Sequence, residues 1–388
     1  MASVQYREIE GRSGGFYLLL MTLGLFIAAG LAAAWAIGQQ GHVITGMTNR
    51  VVWGTPHVFA VFLIVAASGA LNVASVASVF GRELYKPLAR LSGLVAVALL
   101  AGGLSVLVLY LGRPDRLVVA MTHYNFTSIF AWNIFLYTSF FAVVALYLWT
   151  MFERRMNGYT ARAGVLAFLW RLVLTTGTGS IFAFLVAREA YHSAVLAPLF
   201  IAMSFAYGTA VFVLVLMAAC RWSERPLGDE LLARLGNLLG IFVAAVLYFV
   251  AVYHLTNLYI ARQWELQRFL LLEGGIYTAL FWIGQVLVGS VVPLVLIFAV
   301  RSRAALAGAA ACVIAGGLAQ LYVIIIGGQA YPQQIFPGRE VSSSFFDGVV
   351  ASYTPSLPEV ALGLGGVGLA LALTVIGLKA LPFLPTKA

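Results

Sequence analysis

The chain has 388 residues, of which 62% are hydrophobic and only 10% are charged. A water-soluble domain needs a charged shell around its core, so this composition excludes that class and indicates an integral membrane protein. The formal net charge is +9. In a membrane protein such basicity is a topology signal and attracts anionic lipid of the bilayer, so we expect no nucleic-acid partner.

Apolar runs of about 20 residues, the length that crosses a hydrocarbon core of ~30 Å as a helix, occur ten times in the chain. The first run resembles a signal peptide, but it is too long for one, so we expect it to remain as a span. The sequence therefore predicts an all-α integral membrane fold with ten transmembrane helices. The predicted helices cover 16–37, 52–80, 88–111, 129–152, 163–187, 194–220, 235–260, 275–300, 304–327 and 357–380.

Lysine and arginine are concentrated on one side of the predicted membrane. The tails and loops on the N-terminal side hold 15 of the 23 basic residues, whereas the opposite loops hold 7. Positively charged loops are retained in the cytoplasm. We therefore expect a multi-pass protein of the bacterial cytoplasmic (inner) membrane with both termini in the cytoplasm.

An internal repeat is suggested by Leu88-Ala89-Arg90-Leu91, which recurs 144 residues later as Leu232-Ala233-Arg234-Leu235. The same offset carries predicted helices two to five onto six to nine, and four helices preserve orientation, so the repeat is parallel. We predict two four-helix bundles with one flanking helix at each end. The predicted units are 1–50, 51–190 (first bundle), 191–327 (second bundle) and 328–388, whose long loop we expect to cap the outer face or dock a partner.

Polar side chains crowd the outer end of the first predicted bundle. His57 lies near the outer start of the second helix, and the stretch from Tyr110 to Asn133 joins the third helix to the fourth. An ionisable side chain within a span is a functional candidate because its burial is costly. An interfacial turn with local ion pairs and ordinary belt aromatics is the competing interpretation of the stretch.

Four further residues form a candidate proton path: Asn72, Arg171, Glu189 and His254. Three of them have a structural alternative. Asn72 is typical of a helix-to-helix hydrogen bond, and an arginine placed like Arg171 commonly extends its side chain to the membrane surface. His254 belongs to an outer corner that a solvated loop would also explain.

The two cysteines, Cys220 and Cys312, are far apart in sequence and form no CxxC pair. This chain therefore has no ligand set for an iron–sulfur cluster of its own, and we expect no metal site and no haem.

Six segments in order resemble the NrfD/polysulfide-reductase membrane-subunit family, in particular its ten-helix branch with the P subunit of the Dsr complex of sulfur metabolism. The resemblance covers nearly the whole chain. It implies a helical subunit of a multi-subunit respiratory oxidoreductase that reacts with quinone (menaquinone or ubiquinone) near the outer surface. It also implies electron exchange with a ferredoxin-like iron–sulfur subunit on the periplasmic side. The segments are FGRELYKPLARLS, LGRPDRL, YNFTSIFAWNIFLY, VYHLTNLY, IGGQAYP and EVSSSFFDGVVASYTPSLPE.

The resemblance also implies site residues, because in the polysulfide-reductase relatives a histidine on the first bundle helix and polar or aromatic groups on the third contribute to the quinone site. His57 is expected to act as the base, since its reference pKa near 6.5 lets it change charge at ordinary pH. The family motif commonly has aspartate where this chain has Tyr110, which leaves Asp115 as the expected replacement carboxylate. The expected quinone-binding residues are His57, Tyr110, Arg113, Tyr124, Asn125, Ser128 and Trp132.

Two other classes of function compete with this interpretation. A secondary transporter or ion-translocating subunit is favoured by the repeat and by Arg171 and Asn72, although transporters usually place their site at the midplane. A b-type cytochrome needs two histidines on facing helices at matched depth, and only His57 and His254 lie within or near helices. Bound quinone, substrate counterflow and a haem absorption band distinguish the three. In the quinone interpretation the chain is not a complete enzyme alone.

Overall fold

The computed structural model describes residues 5–333 and 348–386. Within these residues ten helices are long and apolar enough to cross a membrane, which confirms the predicted number and the helical fold class. We number them as spans 1 to 10. Their bounds are Gly14–Gln40, Thr55–Ser78, Glu83–Leu109, Ile129–Phe152, Arg154–Ala183, Leu196–Trp222, Asp229–Tyr259, Ile276–Val300, Arg303–Ala330 and Leu357–Ala380.

Spans 2 and 6 form the centre of the molecule. Span 2 packs against spans 3 and 6, and span 6 packs against spans 5, 7 and 9. Spans 4 and 5 pair with each other, as do spans 8 and 9, so spans 2 to 5 and spans 6 to 9 share one pattern of neighbours. The origin of this pattern in an internal repeat stays a prediction.

The two central spans meet through glycine. A Cβ atom added to Gly208 of span 6 would overlap the backbone of Gly69 in span 2, and the reverse substitution would overlap Ser204. Small residues let helix backbones approach closely in a bilayer, where van der Waals packing drives association. This contact brings the two groups of spans together at the centre of the molecule.

Span 10 covers the first group of spans from outside. It packs against spans 1, 2 and 3. Its first turn therefore lies beside the start of span 2 and the end of span 3, where the polar residues of the sequence gather. This arrangement lets a residue from the first turn of span 10 join the same cluster of side chains as His57, which is about 300 residues earlier in the sequence.

Both ends of the chain lie at the same face, which we call the N-terminal face; the opposite face is the distal face. The strand β1, Tyr6–Arg7, pairs antiparallel with β2, Leu384–Pro385. Arg225 holds this pair, since its Nη1 donates to the carbonyl oxygens of Arg7 and Leu384 at 3.0 and 2.7 Å. The strand pair is an exception to the predicted all-α fold. The assignment of the N-terminal face to the cytoplasm stays a prediction.

Two boundaries differ from the prediction in ways that affect the site. Span 2 begins at Thr55 instead of residue 52, because Gly54 is extended and Pro56 starts the helix. His57 consequently lies in the first turn, closer to the distal face than expected. Span 9 continues to Ala330, so Gln329 is helical. Residues 334–347 of the loop predicted to cap the outer face or dock a partner lie outside the described residues.

Candidate functional site

The start of span 2 is held by side chains from the far end of the chain. Gln329 Oε1 accepts the backbone N–H of Trp53 at 3.0 Å, and Tyr353 Oη accepts that of Thr55 at 2.7 Å. The first N–H groups of a helix lack partners within the helix, so these two side chains satisfy donors that would otherwise be unpaired. They also fix the position of His57 in the first turn.

Glu359, in the first turn of span 10, is fully buried, with 0% of its surface exposed. Its Oε1 accepts hydrogen bonds from the hydroxyls of Tyr110 at 2.8 Å and Tyr353 at 3.0 Å. Its Oε2 accepts from the N–H groups of Gly46 and Ser356, both at 2.9 Å, and from the Ser356 hydroxyl at 3.0 Å. An ionised carboxylate can accept all five bonds because it is acceptor-only.

Sequence reasoning missed Glu359, although a signal was present. Ser356 and Glu359 form a capping box, in which each side chain bonds the backbone N–H of the other. This pattern before an apolar run ordinarily marks only the start of a helix. Here one carboxylate oxygen serves the cap, and the other faces Tyr110 and Tyr353.

His57 lies beside this carboxylate cluster. Its ring makes edge contact with Tyr110 at a centroid distance of 5.3 Å and lies 6.2 Å from Trp53. Its Nδ1 atom is buried and has no hydrogen-bond partner among the described residues. Buried polar atoms are nearly always paired, so an unpaired imidazole nitrogen at this position is a candidate contact for a ligand.

The two tyrosines of the cluster are held as neutral donors. Burial, together with the hydrogen bond to Glu359, raises the pKa of the Tyr110 phenol well above its ordinary value. Burial likewise raises the pKa of Tyr353, with a smaller contribution from Glu359. Since a raised phenol pKa favours the protonated form, both hydroxyls keep their hydrogen at physiological pH and continue to donate.

Trp53 supplies an aromatic wall next to His57. Its ring contacts Phe182 at 5.7 Å and Phe130 and Tyr191 at 6.3 Å each. These contacts join the start of span 2 to span 4 and to the turn after span 5. The cluster therefore brings both a hydrogen-bonded tyrosine and a flat aromatic wall close to the His57 imidazole.

The polar residues predicted on the connection between spans 3 and 4 lie further out. Asn125 Oδ1 accepts the hydroxyl of Thr127 at 2.6 Å, and Trp132 Nε1 donates to the carbonyl oxygen of Phe126 at 2.9 Å. Trp132 is 44% exposed, and Tyr124 and Ser128 are partly exposed. The contact of this segment with the wall is made by Phe130.

Arg113 and Asp115 are both exposed and pair with each other. The Arg113 guanidinium donates to both carboxylate oxygens of Asp115 at 3.0 and 2.9 Å, and this bonding lowers the pKa of Asp115. The expectation that Asp115 replaces the missing carboxylate beside Tyr110 is corrected, because Glu359 occupies that place. The structure thus contains the local ion pair that was the competing interpretation of this turn.

Asn72 and Arg171 lie together deep within spans 2 and 5. Arg171 is only 2% exposed, which argues against the structural alternative that its side chain extends to the membrane surface. Its Nη1 donates to Asn72 Oδ1 at 2.6 Å, while Asn72 Nδ2 donates to Thr209 Oγ1 of span 6 at 2.9 Å. The rings of Phe168 and Phe205 lie 5.0 and 4.9 Å from the guanidinium carbon. This cluster bridges three spans.

Replacing Asn72 by leucine is expected to destabilise the protein, because the buried guanidinium loses its side-chain acceptor, a loss of about 1–3 kcal/mol. Combining Asn72→Leu with Arg171→Met removes the unpaired charge, so the double variant should unfold at a higher temperature than Asn72→Leu. Thermal unfolding of detergent-solubilised protein measures the stability of the single and the double variant. Thr176→Val on the exposed side of span 5 is the control. A double variant less stable than Asn72→Leu would contradict this account.

Glu189 and His254 are not part of that buried cluster. Glu189 Oε1 lies 3.4 Å from Arg262, and His254 Nδ1 lies 2.6 Å from Gln267 Oε1. The four residues predicted as one proton path thus lie in three side-chain clusters: Asn72 with Arg171, Glu189 with Arg262, and His254 with Gln267. His57 and His254, the pair considered for a haem, also belong to different clusters: His57 contacts Tyr110, whereas His254 contacts Phe281.

A cavity of about 750 Å³ opens at the N-terminal face between spans 1, 6 and 10. Its lining includes Phe16, Leu19, Trp222 and Leu371, which form an apolar surface. Because it lies at the opposite end of the membrane from His57, it is separate from the buried cluster.

The ten spans found in the described residues define a helical membrane protein that crosses the bilayer many times. The family model described as polysulphide reductase, NrfD, matches residues 43–333, about three quarters of the sequence. The chain therefore belongs to the NrfD polysulphide reductase family, which confirms the resemblance found from the sequence motifs.

Three relatives match over almost their whole length. The Hdr-like menaquinol oxidoreductase integral membrane subunit of Archaeoglobus fulgidus is 29% identical, covering 100% of this chain and 98% of the relative. A putative dimethyl sulfoxide reductase membrane subunit of Halobacterium salinarum is 27% identical, over 94% and 90%. A selenate reductase subunit of Mesobacillus selenatarsenatis is 22% identical, over 94% of both chains.

Proposed function

We propose that this chain is the quinone-reactive membrane subunit of a multi-subunit respiratory oxidoreductase. The observation that carries the proposal is His57, whose buried Nδ1 atom lacks a partner in the described part of the chain, beside the Tyr110–Glu359 hydrogen bond. The names of the three relatives, all of them oxidoreductase subunits, support the same class.

The chemistry of a quinol matches the groups of the cluster. Conversion of a quinol to a quinone releases two protons and two electrons, so the site needs a base near the hydroxyl and an apolar surface for the ring. His57 provides an imidazole nitrogen that can accept a proton. Trp53 provides a flat ring 6.2 Å from that imidazole. Glu359 fixes Tyr110, which contacts His57, and places a negative charge where a protonated imidazole gains stability.

The electrons are proposed to pass to a ferredoxin-like iron–sulfur subunit docked at the distal face. The cluster lies at the distal ends of spans 2, 3 and 10, so electron transfer over the shortest distance leads out of that face. We further propose that this face is periplasmic, with the termini in the cytoplasm of an inner membrane, and that the complex serves sulfur metabolism. Menaquinol is the first substrate to test because the relative in Archaeoglobus fulgidus is named for it; ubiquinol is the second.

The test is identification of quinone in the purified complex, compared with two tryptophan variants. Wild-type protein is expected to retain quinone through purification. Trp53→Ala should lose most of it, because the ring beside His57 is removed, whereas Trp35→Ala, which is 69% exposed on span 1, should retain the wild-type amount. Extraction and chromatography of the bound quinone measure the difference. The proposal would be refuted if the wild-type complex contained no bound quinone and also showed no quinol-dependent electron transfer.

Ion translocation is a second candidate function, favoured by the buried Arg171–Asn72 pair within the spans. A charged group inside a span is costly unless it has a function or compensating contacts. Vesicles containing the protein and a pH-sensitive dye distinguish the two functions. Proton or substrate movement without any quinol supports translocation as a function of this chain alone; no movement leaves the quinone proposal as the sole candidate.

A further inference from the structure

His42 contacts the buried cluster from the aqueous side of the distal face. It begins a short turn, His42–Ile44, just after span 1, and it is only partly buried. Its ring makes edge contact with Tyr110 at a centroid distance of 4.9 Å, and His57 contacts the same ring at 5.3 Å. Tyr110 is therefore touched by one imidazole at the membrane surface and by another in the first turn of span 2.

Both imidazoles have the same unusual feature. The Nδ1 atoms of His42 and His57 are buried, and neither has a hydrogen-bond partner within residues 5–333 and 348–386. A buried polar atom without a partner requires an explanation, such as an ordered water or a role in chemistry. Each imidazole has two ring nitrogens that can donate or accept a proton, so two rings that contact the same tyrosine and have unpaired nitrogens suit proton transfer.

We propose that His42 is the proton-exit residue of the site, which releases to the distal aqueous phase the protons that quinol oxidation transfers to His57. This inference rests on the proposed function. Each quinol loses two electrons and two protons as it becomes a quinone. The electrons pass to the redox centre of the partner subunit. The protons leave one at a time through His57 and then His42, and each imidazole returns to its neutral form after each transfer.

The neighbouring groups make His42 the suitable exit. Glu359 and Tyr110 are 0% and 3% exposed, so neither reaches bulk water directly. Tyr353 is a neutral donor in the same cluster. Asp115, an exposed carboxylate that follows Tyr110 closely in the sequence, is bonded through both oxygens to Arg113. His42 touches the buried cluster from a turn that lies outside the spans, and unlike the phenol of Tyr353 its side chain is an imidazole.

The experiment compares His42→Gln with His123→Gln in the purified complex. His123 is an exposed distal imidazole whose Nδ1 lies 3.0 Å from the neighbouring Thr122 hydroxyl, so it controls for loss of a surface histidine. His42→Gln should lower the kcat of quinol oxidation by about 10²-fold, the usual contribution of a proton-transfer group, while KM and bound quinone stay unchanged. Added imidazole should restore turnover, and the solvent deuterium isotope effect on kcat should rise.

Five outcomes separate the possibilities. Rescue by imidazole with quinone retained supports the exit role. Wild-type turnover in His42→Gln overturns it, as does a loss of turnover that imidazole does not restore. Loss of bound quinone in His42→Gln also overturns it, because His42 would then be a binding residue. A wild-type complex with neither bound quinone nor quinol-dependent electron transfer instead refutes the proposed function. The experiment with the tryptophan variants detects that outcome independently of His42.

Discussion

Replacing His57 by alanine is expected to reduce quinol-linked electron transfer by about 10²–10⁴-fold, the range that a positioned general base contributes. The physical reason is the loss of the one imidazole that contacts both Tyr110 and Trp53. The complex should still assemble, because the start of span 2 is held by Gln329 and Tyr353, which do not bond the imidazole. Quinol-dependent reduction of an artificial acceptor measures the effect, and gel electrophoresis of the same sample checks that the complex is intact.

His254→Ala is the matched control for this variant. His254 also lies near the distal end of a span, but it contacts Gln267 and Phe281 in the second group of spans. We expect its removal to change turnover by less than about threefold, well below the range given for a positioned base. Unchanged turnover in His57→Ala would remove that residue from the mechanism, and a large loss in His254→Ala alone would move the reaction to the second group.

Replacing Glu359 by glutamine is expected to lower turnover by about 10²-fold, since it removes the buried negative charge beside His57 without changing the side-chain shape. It should also lower the thermal midpoint. One end of the side chain becomes an NH₂ group facing either the N–H groups of Gly46 and Ser356 or the two tyrosine hydroxyls. Turnover and thermal unfolding of the same preparation are the two measurements.

Two companion variants separate the charge from the fold. Glu273→Gln removes a carboxylate that lies on the protein surface and pairs with Arg268, so turnover should not change. Tyr110→Phe keeps the Glu359 charge and its cap but removes the hydrogen bond to Oε1. We expect it to lower turnover less than Glu359→Gln does. If Glu359→Gln retained full turnover, the carboxylate would have only its capping role.

The membrane spans were predictable because they depend on composition over about 20 residues, which tertiary contacts do not alter. His57 was conspicuous in the sequence for a related reason, as an ionisable group within an apolar segment is rare; its role in the site stays a prediction. The boundaries were harder. The start of span 2 depends on Gln329, which is more than 270 residues away in the sequence, and no local pattern encodes that contact.

The composition of the site was less predictable than the fold. The polar stretch after Tyr110 drew attention because its residues are chemically diverse, yet Asp115 and Trp132 face outward in the structure. Glu359 was overlooked because its sequence context is that of an ordinary helix cap. The local sequence around Glu359 fits both a solvent-exposed helix cap and the buried carboxylate that the structure shows. They differ only in what span 10 packs against, and a single sequence does not specify that packing.

The position of Glu359 in the last span also determines when the site can form during biosynthesis. The ribosome synthesises His57 and Tyr110 long before residue 359, so a nascent chain carrying only the earlier helices has an unfinished cluster. In the proposed function, the quinone site is complete only when span 10 has inserted and supplied its carboxylate. A chain truncated before that helix would leave uncovered the glycine surfaces at Gly30 of span 1 and Gly102 of span 3, which pack against Gly365 and Gly366 of span 10.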